Sequence, residues 1–413
     1  MYATLADMKT KPLTGTRVLD LTWVYSGPYC TLLLRDLGAE VIKIEGPALG
    51  DRARSFPPFR NGRSGYFYSL NRGKKSVALN LKLEEGKGVF RRLVSRSDVV
   101  VENFVPGVMD RLGLGYETLR EINPRLIYGS IHGFGSFGPH ADRPAVDPVA
   151  QAMGGLMSQS GFSGGPPLKT GPAVTDALSG IYLALGVVGA VLERERTGAG
   201  KRVEVGMMDA VFSVLEESVT RASMTGDALP RRGNTDPLGA PWDAFETSDG
   251  KWVMMCATDG AKCAAVYRAI GREDLALAYG GEGEEASAKR AADLALLNGV
   301  FADWAKGRSA GELTDMLTGL HVPCGVVKDV KELLDDPQLL ARNMAVEIDH
   351  PRLGRIKTYN NPVLFDGASL GIGAGENPLE PELGADGKTV LRDVLALSDG
   401  DIDALAECGA LWN

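Results

Sequence analysis

The chain has 413 residues, 45 basic and 53 acidic, for a net charge of −8; that length predicts two domains, and the acidic balance argues against a nucleic-acid-wrapping surface. Apolar and charged shares of 44% and 24% are those of a globular chain, not a disordered one. Five scattered cysteines without a C-x-x-C pair, and four histidines without H-E-x-x-H, point away from a disulfide framework and a metal centre. They suit free thiols in a reducing cytoplasm.

Residues 1–7 carry no charged segment leading into an apolar run, so no secretory signal is expected, and no apolar stretch reads as long enough to span a bilayer. From 17 to 131 short β-rich runs alternate with helical patterns. Strands are expected at 17–22, 40–44, 76–80, 98–101 and 126–131, with helices between most of them, such as 31–37 and 85–95. That alternation predicts an α/β fold with a Rossmann-like parallel sheet. Ligands of such sheets bind beyond the carboxyl ends of the strands, which directs attention to the loops 23–28, 45–63, 103–107 and 132–139.

Residues 133–138 match G-x-G-x-x-G, yet Pro139 and Pro144 follow where a dinucleotide site needs a helix, and no acidic residue stands at the required distance. Gly200-Lys201 is followed by Arg202 and lacks the upstream glycine of a P-loop. Basic residues gather at Arg52, Arg54, Arg60 and Arg63, then in Asn71-Arg72-Gly73-Lys74-Lys75-Ser76, and again at Arg111. They suit a polyanionic ligand such as a nucleotide phosphate, and a solvated charged surface explains the same residues equally well.

The stretch 171–180 sets one acidic side chain, Asp176, at the entrance to an apolar segment, 181–192, that reads as a buried helix. As a helix cap, its carboxylate would accept the orphan N–H groups of the first turn. As a nucleophile, it would be kept ionised by the helix dipole and attack without a base. A strand at 201–205 and a long helix at 207–224 follow. The Pro- and Gly-bearing segment 225–242 reads as a linker between a large domain, 1–224, and a smaller α+β domain, 243–328. The smaller domain opens with a hairpin around Asp249-Gly250 and continues with helical stretches; residues 329–413 form a linker and a C-terminal return to the large domain, ending in helices at 387–396 and 398–407.

Several segments in fixed order are similar to the class III coenzyme A transferases, the family that includes formyl-CoA transferase and, more distantly, α-methylacyl-CoA racemase. They are 15–22, Ser26-Gly27-Pro28, 37–45, 70–76, 101–107, 123–131, 151–155 and 203–210. The resemblance implies that Asp176 is the catalytic aspartate. It would pass through an aspartyl anhydride and an aspartyl-CoA thioester to move CoA from an acyl-CoA donor, such as succinyl-CoA, to a carboxylic acid. It further implies an active-site wall with Tyr25, Asp147 and Gly133, and CoA contacts from Asn71, Arg72, Lys74, Lys75, Asn103, Phe104, Arg111, Arg52 and His132. No cofactor is implied beyond the CoA thioester, which arrives as substrate. The subunit implied is ring-like and interlocks with a second copy, or with a related subunit in a heteromer.

Racemases of this family carry His-Asp where this chain has Val146-Asp147, so two-base proton transfer lacks an imidazole and a transferase is favoured. An epimerase, or a CoA-binding subunit without activity, are the alternatives. Gly46 stands at the place of a CoA-contacting arginine in formyl-CoA transferase, leaving Arg52 or Arg72 for that contact, and that enzyme's glycine run has no match in 232–239.

Overall fold

The computed structural model describes residues 11–373 and 376–412; the segment 1–7, where no signal was expected, lies outside them. The chain divides into two units, one of residues 1–157, 169–227 and 334–413, the other of 158–168 and 228–333.

The larger unit is built on βαβ repeats: β1 (Arg17–Asp20), α1 (Ser26–Asp36), β2 (Glu40–Glu45), α2 (Gly65–Asn71), β3 (Lys75–Leu79), α3 (Glu84–Val94), β4 (Val99–Glu102), β5 (Ile127–His132), α4 (Asp147–Met153), α5 (Val174–Thr197), β6 (Arg202–Gly206) and β7 (Leu411–Trp412). Its sheet runs β7-β3-β2-β1-β4-β5-β6, parallel throughout except for β7, which pairs antiparallel with β3. Val18 faces Val41 on one side and Val99 on the other, and Val100 faces Tyr128.

The strands read as nearly continuous apolar runs because both faces of the sheet are covered. Side chains alternate across it: Leu19, Ile42, Val100 and Tyr128 pack with Phe90 and Leu93 of α3, whereas Val18, Val41, Val99 and Ile127 pack with Leu34 of α1 and Leu183 and Val187 of α5. The strand order reverses between β1 and β4, so a crevice opens there at the carboxyl ends.

Two sequence expectations change here. Helix α5 is not wholly buried, since Ile181, Leu185 and Leu192 are exposed. With 24 residues it is also long and apolar enough to cross a membrane, although its other face packs into the core beside β5 and β6. Second, the helix expected at 207–224 is two, Met207–Phe212 and Glu217–Thr225, broken at Glu216, whose φ is +51°.

The smaller unit holds a three-stranded antiparallel sheet in the order Cys324–Val326, Trp252–Cys256, Trp242–Glu246. Phe245, Val253, Phe301, Leu313 and Leu317 form its core. It takes in more chain than the expected 243–328. Residues 158–168 join through a main-chain bond from Gly233 N–H to the Gly161 carbonyl, 2.9 Å, and through Arg231, which donates to the Gly165 carbonyl at 2.6 Å.

Candidate active site

The switch point of the large sheet carries a cavity of about 480 Å³. Its walls come from the ends of β1 (Trp23 to Ser26), β4 (Asn103 to Pro106) and β5 (Ile131 to Gly133), from the start of α4 at Asp147, and from Asp176. Of the four loops singled out in the sequence, three meet here, and the long second one contributes Arg52.

The loop after β1 is held by side chains on every side. Thr22 N–H donates to Asp20 Oδ1 and its carbonyl accepts from Lys43 Nζ at 2.7 Å. Asn103 bonds both the N–H and the carbonyl of Trp23, at 2.8 and 2.9 Å, and Val24 N–H reaches Asp51 Oδ1 at 3.0 Å. Val24 needs this grip because its φ is +68°, a left-handed conformation that a β-branched residue adopts only at a cost of about 1–3 kcal/mol. The anchoring carboxylates belong to a buried charge cluster: Lys43 pairs with Asp51 at 3.0 Å and Lys74 with Asp20 at 2.9 Å, all four side chains sealed from solvent. Burial opposes the charge on Asp20, but Lys43 and Lys74 outweigh it and hold the carboxyl well below the usual range.

That cluster revises the expected phosphate loop. Lys74 is buried, donates to Asp20, Thr31, Asn71 and the Pro28 carbonyl, and has its pKa drawn down to about 8, chiefly by burial. Asn71 is buried too and donates to the Phe67 carbonyl. Arg72 is fully enclosed, bonded to the carbonyls of Ser69 and Tyr359, its guanidinium 4.7 Å from the Tyr359 ring centre. Lys75 pairs with Glu40 at 2.6 Å. None of the four lines the cavity. The motif resembles an anion loop in sequence, but its charges answer other charges and carbonyls inside the unit.

Asp176 stands at the third position of α5, after the N-cap Ala173, which offers no side-chain cap. The orphan N–H of Thr175 is taken instead by Asp147 Oδ1 at 2.9 Å, while Asp147 Oδ2 accepts from Gln151 Nε2 at 2.7 Å. Gln151 Oε1 in turn accepts from Thr170 N–H at 3.0 Å, tying down the approach to the helix. Asp147 therefore caps the helix across space, and Asp176 is left facing the cavity. Gly180, one turn on, lets α5 press against α1: a Cβ there would lie 2.6 Å from the Ser26 carbonyl. This contact brings the Ser26 hydroxyl within hydrogen-bonding reach of Asp176. Gly133 plays a similar part, since a Cβ on it would meet Ala145 at 2.2 Å and push back the segment leading to Asp147.

The expectation of a permanently ionised nucleophile is not met. The Asp176 pKa is raised from 3.8 to about 7, first by burial and then by the Asp147 charge, with the Ser26 hydroxyl opposing. Desolvation outweighs the helix-dipole effect on which the sequence argument relied.

Around this carboxylate, Tyr25 stacks on Tyr29 at 5.8 Å and leans on Tyr66 at 6.4 Å. Burial first, then the neighbouring phenols, keep the Tyr25 hydroxyl far above the usual phenol range, so it stays a neutral donor. Asn103, Phe104, His132 and Gly133 line the cavity, and so does the exposed Arg52. Arg111 is exposed at the end of the helix Val108–Arg111 and does not line the cavity. Three contributors were not foreseen: Ser26, whose hydroxyl touches Asp176; Gln151, which steadies Asp147; and the exposed Arg143 in the cavity wall. Following the loop after β5 to the start of α4, instead of stopping at 139, would have included Arg143. A half-buried carboxylate, a hydroxyl donor, neutral phenols and exposed guanidinium groups in one crevice suit nucleophilic attack on an activated acyl group borne by an anionic carrier.

A model of CoA-transferase family III matches residues 13–387. The chain is 43% identical over 350 residues to a succinyl-CoA:mesaconate CoA-transferase of Haloarcula marismortui, covering 82% of this chain and 86% of that one. It is 35% identical over 428 residues to a formyl-CoA:oxalate CoA-transferase of Rhodopseudomonas palustris, covering 97% and 98%. The crystal structure of a CAIB/BAIF family protein from Brucella suis superimposes with a TM-score of 0.82 at 32% identity, covering 94% of this chain and all of that one.

Proposed function

The chain belongs to CoA-transferase family III, and from that premise we propose that it moves CoA from succinyl-CoA to a second carboxylic acid, with Asp176 as the nucleophile. The observation that carries this reading is the seat of Asp176 in the wall of the switch-point cavity, beside Ser26 and with its helix capped by Asp147. The ionised carboxylate attacks the thioester carbonyl, giving a mixed anhydride and CoA thiolate; the thiolate attacks the aspartyl carbonyl, giving an aspartyl-CoA thioester and the free donor acid. An acceptor carboxylate then attacks this thioester, and the thiolate takes the new acyl group from the second anhydride. Each intermediate stays activated, so water must be kept away. Tyr25 and the backbone N–H groups of the glycine-bearing loops are the donors within the site for the oxyanions.

Succinyl-CoA as donor and an unsaturated dicarboxylic acid as acceptor draw support from the name of the 43%-identical relative. Arg52 and Arg143 supply cationic walls for the anionic carrier. For the assembly, the family likeness favours a ring-like subunit interlocked with a second copy, or with a related subunit. The exposed apolar row Ile181, Leu185 and Leu192 on α5 supports a protein neighbour. Five free cysteines suit a reducing cytoplasm.

The test is to mix the protein with succinyl-CoA, trap with hydroxylamine or borohydride, and locate the mass change. A modified Asp176 is expected, absent in Asp176→Ala. An unmodified aspartate together with an active Asp176→Ala enzyme would refute the reading.

A further inference from the structure

The chain between β2 and α2 contains Arg52, Arg54, Arg60 and Arg63, and the fold gives three of them partners. Arg54 pairs with Glu45 at 2.6 Å and lies over the Phe67 ring, Arg60 donates to the Leu353 carbonyl at 2.6 Å, and Arg63 pairs with Glu382. The Arg52 side chain has neither an ion pair nor a hydrogen bond among the described residues, and of the four it alone lines the Asp176 cavity. Its backbone, by contrast, is firmly held. Arg52 opens the one-turn helix Arg52–Ser55, capped by Asp51, whose Oδ1 accepts from Ala53 N–H at 2.9 Å and from Val24 N–H at 3.0 Å. The carboxylate that seats Arg52 therefore also seats the loop that carries Tyr25 and Ser26 to Asp176.

Arg143 is the other arginine in the cavity wall, and its side chain too has no partner among the described residues. The two come from opposite banks of the crevice. Arg52 follows β2, which lies beside β1 and its Tyr25 loop, whereas Arg143 follows β5, which lies beside β4 and its Asn103–Pro106 loop. Three strand spacings separate β2 from β5, ~14 Å at ~4.8 Å each. An acyl-CoA reacting at Asp176 extends both ways from its carbonyl, CoA to one side and the acid chain to the other. A plain acyl chain brings negative charge at the CoA end only; the half-acid of a dicarboxylic acid brings it at both ends.

We propose that Arg52 holds the free carboxylate of a dicarboxylic acid, as the specificity-determining residue for the acid, while Arg143 faces CoA. The inference rests on the reading of this cavity as the transfer site and divides its two cationic walls between the two ends of one substrate. A guanidinium fork matches a carboxylate with two parallel hydrogen bonds. Both anhydrides of the exchange form on the same Asp176 carboxylate, so the same guanidinium reads donor and acceptor, and both are dicarboxylic acids.

The test uses the full chain and needs no acceptor. Hydroxylamine traps the activated Asp176, and the rate of its modification, followed by mass, is measured at increasing succinyl-CoA or butyryl-CoA, which has the same chain length without the second carboxylate. Wild type is expected to favour succinyl-CoA. Arg52→Gln should lower the apparent second-order constant for succinyl-CoA by roughly 30-fold and that for butyryl-CoA by less than about threefold, the loss of one charge-assisted contact to the acid. Arg52→Lys should recover part of the loss, and Arg143→Gln should slow both donors alike. Inhibition of trapping by free CoA gives a second reading, which also serves where butyryl-CoA reacts too slowly to follow: it should weaken a few-fold in Arg143→Gln and stay within about twofold of wild type in Arg52→Gln. An Arg52→Gln enzyme that loses both donors equally, or neither, or that loses inhibition by CoA as Arg143→Gln does, overturns the proposal while leaving Asp176 as the nucleophile. No modification of Asp176 by either donor in wild type overturns the functional reading and this inference with it.

Discussion

Replacing Asp147 by Asn separates its two roles. The Asn oxygen can still accept from Thr175 N–H, as Asp147 Oδ1 does at 2.9 Å, so the cap on α5 survives, while the negative charge beside Asp176 disappears. The bond from Gln151 Nε2 to Oδ2 is also lost, at a stability cost of about 1 kcal/mol. Asp176 sits at about 7, raised first by burial and second by Asp147. Removing the second cause leaves the first, so the pKa should fall by roughly one unit, or ~1.4 kcal/mol. At pH 6 the ionised share of Asp176 would then grow from about a tenth to about a half, and kcat/KM for succinyl-CoA should rise about fivefold. Near pH 8.5 the two enzymes should be alike. The assay is kcat/KM across pH 5.5–8.5 at saturating acceptor, with melting temperature as the control for folding. An ascending limb that stays in place or moves toward alkali would refute the electrostatic argument. A loss of more than about tenfold at every pH in a folded protein would instead make Asp147 a proton donor in the reaction.

Asp176→Asn should stabilise the protein where Asp176 is ionised. The folded-state pKa is raised above 3.8 to about 7, so the stability contributed by the protonated acid is present at low pH and lost as pH rises through that interval. Thermal unfolding should show Asn and Asp alike at pH 4 and a gain of about 1–3 kcal/mol for Asn at pH 8. Lys43→Met strips Asp51 of its partner and weakens the hold on Asp20 and Thr22; urea denaturation should show a loss of about 3–5 kcal/mol. Arg143→Gln removes an exposed cavity-wall cation; KM for acyl-CoA should rise a few-fold at low salt and converge with wild type at high salt, kcat holding steady.

The large sheet was legible in the sequence because its strands are apolar on both faces and punctuated by helices. Each of the six parallel strands falls within two residues of its expected place, as with 75–79 against 76–80. The internal partners of the expected anion loop have a source that sequence cannot reveal. Asn71-Arg72-Gly73-Lys74 has the composition of a phosphate turn, and Gly73 does take a positive φ of +73°. Its N–H, however, donates to the Leu379 carbonyl at 2.7 Å, a partner more than 300 residues away in the chain. The membership of 158–168 in the smaller unit is hidden for the same reason, since a main-chain bond to Gly233 leaves no mark in side-chain pattern. Val24 was invisible because nothing in a valine announces a left-handed backbone.

Asp176 shows where reasoning from a helix start reaches its limit. A carboxylate in a first turn usually answers the orphan N–H groups there, and an acid bound in that way keeps a low pKa. Here a second carboxylate, from a helix that begins 27 residues earlier at Asp147, takes the Thr175 N–H. Asp176 is thereby released from capping, pressed against apolar walls and placed beside a like charge, and each of these changes raises its affinity for a proton. The sequence contains both acids but not their division of labour, because that division depends on which oxygen meets which N–H. The two carboxylates thus differ in environment, one spent on hydrogen bonds and the other held near neutrality, and in the proposed mechanism it is the second that supplies the attacking oxygen.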